Sequence, residues 1–294
     1  MAIVVNTNIA SLNAQRNLSS SSSSLATSLQ RLSSGLRVNS AKDDAAGLAI
    51  SQTLTSQIRG NNQAVRNAND AISVSQTAEG ALGQVGNNLQ RIREIAVQAA
   101  NGGVSDSNRS QLQKEVDQLT QEISRIVQTT NFNGTALLSA SGSLTFQVGA
   151  DGTGTNQVTI SLSTLGSAAA TNGVGASAVS SGLNTYASSL TATGTINVLT
   201  SANASANIAG LDADIAQISN LRSTFGAAQN RFDAVIANLQ NYVENLTASR
   251  SRIIDVDFAS ETANLTKNQI LQQAGTAILG QANALPQAAL SLLQ

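Results

Sequence analysis

Apolar side chains return every three or four residues over most of this chain, and that spacing limits what it can fold into. Ile58, Val65 and Ile72 recur every seven residues, and Leu82, Val85, Leu89, Ile92, Ala96 and Ala99 continue the seam. A stripe with this period is buried only when one long helix lies along another. After "NGGVSDS", Leu112, Val116, Leu119, Ile123 and Ile126 predict a second helix, and so short a connection folds it back on the first. Leu211, Ile215, Ile218, Phe225, Phe232, Ile236, Leu239, Val243 and Leu246 fall on one 4-3 lattice, interrupted only by Arg222 and Gln229. At about 1.5 Å rise per residue these helices run roughly 50 to 65 Å, which predicts a rod rather than a globule. The expected fold class is mainly α: a long antiparallel helical rod or coiled coil formed by the N- and C-terminal halves, with a small β-hairpin region in the middle.

The middle has a different period. Between residues 126 and 211 the only charged residue is Asp151. Within that stretch "SLTFQVGADGTGTNQVTISL" alternates Leu144, Phe146, Val148 and then Val158, Ile160, Leu162 around a Gly/Asp/Asn loop. Period two on both sides of such a loop predicts a hairpin near 143–163 with one buried face. Residues 167–206 read as a thin connection, either a low-complexity linker or a small lobe.

The two ends match each other. Residues 1–30 carry one charged side chain, Arg16, and residues 268–294 carry none. Leu25, Leu29, Leu32 and Leu36 step by four, three and four; Leu271, Ala274, Ile278, Leu285, Ala288 and Leu292 keep heptad positions. Lone helices of this kind are marginal in water. Pro286, the chain's only proline, is expected to kink or end the last one. Two ends that are each unstable alone predict burial against each other and against neighbouring molecules, hence polymerisation, with Leu25, Leu29, Leu32, Leu36, Leu271, Ile278, Leu285 and Leu292 as its side chains.

Several functions are excluded. Without Cys or His there are no disulfides, thiol chemistry, His metal sites or His-dependent acid/base catalysis. A net charge of −1 gives no basic face for nucleic acid. The first residues lack a signal peptide's basic and apolar regions, and no apolar run approaches about 18 residues, so a membrane span is not expected. Those signals alone predict a cytosolic protein.

A cluster of charge stands between the first two helices, in "RLSSGLRVNSAKDDAAGLAIS". Gly35 suits a left-handed helix end. Ser40 with Asp43 three residues on reads as a capping-box-like start, and Asp44 sits where the next helix favours an anion. Catalysis by Asp43 and Asp44 lacks a partner acid, base or metal ligand, so Ser40, Lys42, Asp43 and Asp44 read as a joint. On the C-terminal side Arg250, Arg252, Asp255 and Asp257 stand at equivalent depth, which suggests a paired, salt-bridged junction between subunits.

At these residues the chain resembles the bacterial flagellins. "NTNIASLNAQRNL", "LSSGLRVNSAKDDAAGLAIS", "RNANDAISVSQTAEGAL", "LQRIREIAVQAANG" and "NFNGTALL" resemble that family's N-terminal block. "FGAAQNRF", "SRSRIIDVDF", "NQILQQAGTAILGQAN" and "PQAALSLLQ" resemble its C-terminal block. The resemblance covers roughly residues 1–165 and 205–294. It implies an inner helical coiled-coil domain (1–40 and 255–294) and a helical rod domain (41–165 and 205–254). Residues 166–204 are then a short variable connection or vestigial outer lobe. It further implies a subunit exported unfolded by a type III route and assembled at the filament's distal tip. Its partners would be copies of itself, an export chaperone, the filament cap and hook-junction proteins, with no cofactor and no membrane insertion. The cytosolic expectation gives way to an extracellular filament.

The resemblance also implies recognition by the vertebrate Toll-like receptor for flagellin, at Gln90, Arg91, Glu94, Ile95 and Glu115. The plain reading of that stretch is an exposed helix face with an Arg91–Glu94 pair. A hook–filament junction protein is the alternative. An enzymatic flagellin would need an H-E-x-x-H motif, which a chain without His cannot hold.

Overall fold

The computed structural model describes residues 8–139, 142–162, 165 and 196–291, with side chains up to residue 284. The chain divides into two compact units, Arg59–Val243 and the pair of segments Met1–Ile58 with Glu244–Gln294. The second of these extends past the expected edges at 40 and 255.

Five α-helices make up most of the described residues: α1 (Ile9–Ser34), α2 (Ala45–Ala100), α3 (Asp106–Thr129), α4 (Ser201–Ile254) and α5 (Phe258–Ser291). In the unit 59–243, the core runs along α2 through Ala64, Ala68, Ala71, Ser75, Ala78, Leu82, Val85, Leu89, Ile92, Ala96 and Ala99, all buried. These positions alternate steps of four and three without a break. Ile58, Val65 and Ile72, which the sevenfold spacing placed on the seam, lie on its flank and are only partly buried. Alanine takes the first turns of the seam because a small side chain lets a packed neighbour approach, while the β-branched residues cover the edge.

α3 folds back on α2 as the short connection predicts. Arg109 makes the turn: its buried guanidinium donates to the Ala99 and Asn101 carbonyls, each at 2.9 Å, and to Asp106 at 2.8 Å. It thereby satisfies the Ala99 carbonyl, which the end of α2 leaves without a helical donor, and joins the Val104 N–H on that of Asn101. Along α4, Leu211, Ile218, Phe225 and Phe232 are buried. The two residues that interrupt its lattice share one partner: Gln229 donates to Glu79 at 2.9 Å, and Arg222 lies 3.8 Å from the same carboxylate.

The expected hairpin forms from β3 (Gly142–Gln147) and β4 (Gln157–Leu162), antiparallel with Leu144 opposite Ile160 and Phe146 opposite Val158. Val158, Ile160 and Leu162 are buried, and Phe146 meets Phe232 edge-on with ring centres 5.8 Å apart. A smaller hairpin precedes it, β1 (Asn131–Phe132) with β2 (Thr135–Ala136). Its turn residues Asn133 and Gly134 have φ of 48° and 80°. Positive φ at both central residues is the type I′ turn that an Asn-Gly pair favours. Gln113 holds the segment ahead of α4, donating to the Ile196 carbonyl and accepting from the Val198 N–H, both at 2.7 Å. Most of 167–206, the stretch read as linker or lobe, lies outside the described residues.

The other unit is built on α1 and α5 lying antiparallel, joined by contacts from Asn8–Ala282 at one end to Arg31–Glu261 at the other. α5 runs through Pro286 to Ser291, so the proline does not end the helix. Proline deprives the carbonyl four residues back of its donor. That carbonyl is Ala282, and the Asn8 side-chain amide donates to it at 2.7 Å. Among the described residues no helix is long and apolar enough to cross a membrane.

Candidate assembly surface

The α1–α5 pair inverts the usual distribution of side chains. On α1 the positions turned toward α5 are Ser11, Ala14, Leu18, Ser21, Leu25, Ser28 and Leu32. On α5 they are Glu261, Leu265, Asn268, Gln272, Gly275, Leu279 and Ala282. Both sets alternate three and four, as a helix pair requires, yet more than half of each is small or polar. Large apolar side chains point away: Ile9 is 69% exposed, Leu12 51%, Ile270 59% and Ile278 58%, with Leu29 and Leu271 close to half exposed. Leu271 and Ile278, seven apart, share one flank of α5. Ile9 and Leu12 line an open groove with Gln15, Arg16 and Ser19.

Of the residues expected to drive polymerisation, Leu25 and Leu32 are thus seam residues, while Leu29, Leu271 and Ile278 face outward. Leu36 lies beyond the helix end, in the joint. The Leu285 side chain and Leu292 lie outside the described residues. Apolar side chains exposed together on one face are the usual mark of a surface that meets a partner.

The joint is held by backbone. α1 ends at Gly35, whose φ of 70° is the left-handed cap expected there. Leu36 then forms an antiparallel bridge with Asp255. Arg37 N–H donates to the Ile254 carbonyl at 2.6 Å, and Val256 N–H to the Gly35 carbonyl at 3.0 Å. The Arg37 side chain adds a bond to the Ile253 carbonyl. The expected capping box is corrected by one turn. Asp44 caps α2, accepting from Gly47 N–H at 2.8 Å, because α2 starts at Ala45, too far along for Ser40 to reach. Asp43 instead closes the turn before it, accepting from the Ser40 N–H at 2.8 Å and hydroxyl at 2.9 Å. The Ser40 hydroxyl, chiefly, holds the Asp43 carboxyl below its ordinary value, and N–H bonds from Ser40 and Asn39 add to this.

The C-terminal acids play matching parts. Asp257 caps α5 through the Ala259 N–H at 3.0 Å, and Asp255 accepts from the Ser251 hydroxyl. Arg252 donates to Ser249, and within the chain no ion pair joins Lys42, Asp43 or Asp44 to Arg250, Arg252, Asp255 or Asp257 among the described residues. Backbone N–H groups and serine hydroxyls occupy the carboxylates instead. Gly47 lets this happen: a side chain there would strike the Asp44 carboxylate and come within 3.3 Å of Ile253.

On α2 and α3, Arg91 pairs with Glu115 at 2.8 Å and Glu94 at 3.0 Å, all three partly exposed. The Glu115 hydrogen bond, then that of Glu94, raises the Arg91 guanidinium above its ordinary value. Gln90 is exposed beside them. Ile95 is not: it is fully buried in the core, so a partner reading this face from outside does not touch its side chain. No cluster of metal-ligating residues occurs among the described residues.

Comparison with known proteins adds a family. Residues 5–143 match the bacterial flagellin N-terminal helical region, and residues 208–293 the bacterial flagellin C-terminal helical region. Flagellin B of Vibrio cholerae is 39% identical over 377 aligned positions, spanning all of both chains. Flagellin D of the same species is 38% identical over 376, again spanning both. Those alignments are longer than this chain's 294 residues, so the relatives carry residues it lacks. Among solved structures, a Bacillus cereus flagellin aligns at a TM-score of 0.46 and 28% identity, covering 59% of this chain and 88% of that one.

Proposed function

This chain belongs to the bacterial flagellin family, and from that premise we propose that the outward apolar side chains of α1 and α5 are the contacts that join it to its neighbours. As a flagellin it is a structural subunit of the flagellar filament, outside the cell, and not an enzyme. The observation that carries the proposal is the placement of Ile9, Leu12, Ile270, Leu271 and Ile278 on the outside of a pair whose own seam is largely small and polar. Each such side chain contributes about 1.5–3 kcal/mol when fully covered, and roughly half of that remains to be gained where exposure is near one half. A filament needs heterologous contacts that repeat without closing, so two different outer faces of one helix pair are what the assembly requires.

Export of the chain unfolded and assembly at the distal tip fit ends whose outer apolar faces are covered only in the polymer. The chaperone, cap and hook-junction partners follow from the same premise. Receptor recognition of the free subunit would use Gln90, Arg91, Glu94 and Glu115, with Ile95 acting only through the core that supports them. The junction-protein alternative is disfavoured by full-length identity to flagellins.

The test is seeded growth. Free subunits added to sheared filament fragments are expected to extend them into long tubes under negative stain, and Leu271→Asp with Ile278→Asp to abolish extension. Short stubs from the parent would favour the junction reading. Normal tubes from the double variant would remove the outer face of α5 from the interface.

A further inference from the structure

Asn8 does two jobs with one side chain. Its Oδ1 accepts from the Ser11 N–H at 3.1 Å, capping α1, while its Nδ2 donates 2.7 Å to the Ala282 carbonyl on α5. Ala282 stands four residues before Pro286, which has no N–H to offer it. The Ser11 hydroxyl adds a bond to Asn283 Oδ1 at 2.8 Å in the same place. Asn8 therefore occupies the one carbonyl of this helix turn that proline has opened.

This matters because the seam itself selects register weakly. Ser11, Ala14, Ser21 and Ser28 make up more than half of the α1 seam, Asn268, Gln272, Gly275 and Ala282 more than half of that of α5, and the leucines between them on α1, Leu18, Leu25 and Leu32, recur every seven residues. Sliding such a pair by a heptad changes little apolar burial, and polar contacts are the usual means of choosing among registers. We infer that Asn8 is a positioning residue that sets the register of α1 on α5 by pairing with the carbonyl Pro286 leaves without a helical donor. The pairing lies within one chain and does not depend on what the outer faces bind.

A register reporter is available. A side chain built on Gly275 has its Cβ 3.8 Å from that of Leu18, the separation a disulfide prefers. The chain has no cysteine of its own. In a Leu18→Cys, Gly275→Cys background, cross-linking under mild oxidant is followed on gels for free chains and for pelleted polymer, using whichever state cross-links in the parent. Asn8→Asp keeps the cap acceptor but replaces the donor with a carboxylate facing the Ala282 carbonyl. Cross-linking is expected to slow at least about fivefold, the worth of one such hydrogen bond.

Pro286→Ala restores the helix's own donor, so in that background Asn8→Asp is expected to cost nothing measurable. This rescue separates pairing with the orphaned carbonyl from a merely structural role for Asn8. An equal loss in both backgrounds, no loss in either, or no cross-link in the parent in either state would overturn the inference. Failure of filament growth with cross-linking intact would count against the proposed function and leave the inference standing.

Discussion

Two sets of heptads in one chain are used in opposite ways. Along α2 the stripe from Ala68 to Ala99 is buried within its own unit, in one core with α3, α4 and the hairpin. Along α1 and α5 the same period turns Ser11, Ser28, Asn268 and Gln272 inward and leaves Ile9, Leu12, Ile270 and Ile278 outside. The first arrangement makes a unit with a core of its own. The second leaves the largest apolar side chains of the pair exposed, and on the proposed reading a neighbour covers them. A heptad pattern alone therefore states that a helix packs lengthwise, and leaves open against what.

Removing residues 260–294 should break the contrast most completely. Seeded growth is expected to stop altogether, while the thermal transition of the unit around α2 is retained; a loss of both would show that the core depends on the ends.

Next in size is a matched pair of truncations. Leu89→Ala in the core is expected to destabilise the free chain by about 2–5 kcal/mol, the range for a large-to-small change at a buried site. Ile278→Ala is expected to change the free chain by less than about 0.5 kcal/mol and instead to lower the temperature at which filaments depolymerise. Chemical denaturation of free chains and light scattering of filaments measure the two halves.

Glu79→Ala sharpens the picture inside the core unit. It removes the acceptor of Gln229 and the partner of Arg222, and a cost of about 1 kcal/mol is expected in denaturation of the free chain.

The smallest effect concerns the joint. The folded-state carboxyl of Asp43 is lowered, so its contribution is present above the ordinary value of 3.8 and is lost as pH falls through the lowered one. Ser40→Ala removes the first cause, and a carboxylate titration by NMR should move Asp43 back up toward the ordinary range.

Much of the fold was legible because its signals are local. Heptads gave the long helices, the alternation at 144–148 and 158–162 gave β3 and β4, and Gly35 marked the end of α1. The short hairpin at 131–136 had its signal too, since Asn133-Gly134 is a type I′ turn pair. What could not be read is non-local. The bridge between Leu36 and Asp255, the convergence of Arg222 and Gln229 on Glu79, and the Asn8 bond to Ala282 each join residues far apart in the chain. The flanks of the seams differ from the sequence pattern for another reason: a large apolar residue does not by itself mark the inside. In α2 Ala68 and Ala71 hold the centre and Ile72 the flank; in α1 Ser28 faces inward and Leu29 outward. The helix break between Ser34 and Ala45 is legible in Gly35 and the polar run after it, but the cap of α2 belongs to Asp44, because nothing in the local pattern distinguishes a helix start at Ala45 from one a turn earlier.

The central claim is that the terminal pair obtains its covering from neighbours while the unit around α2 covers itself. Amide hydrogen exchange on free chains and on filaments tests it most directly. The account predicts strong protection of residues 64–99 in both states, with weak protection of 9–34 and 258–284 in free chains becoming strong in filaments. Equal, strong protection of all these segments in the free chain would contradict it.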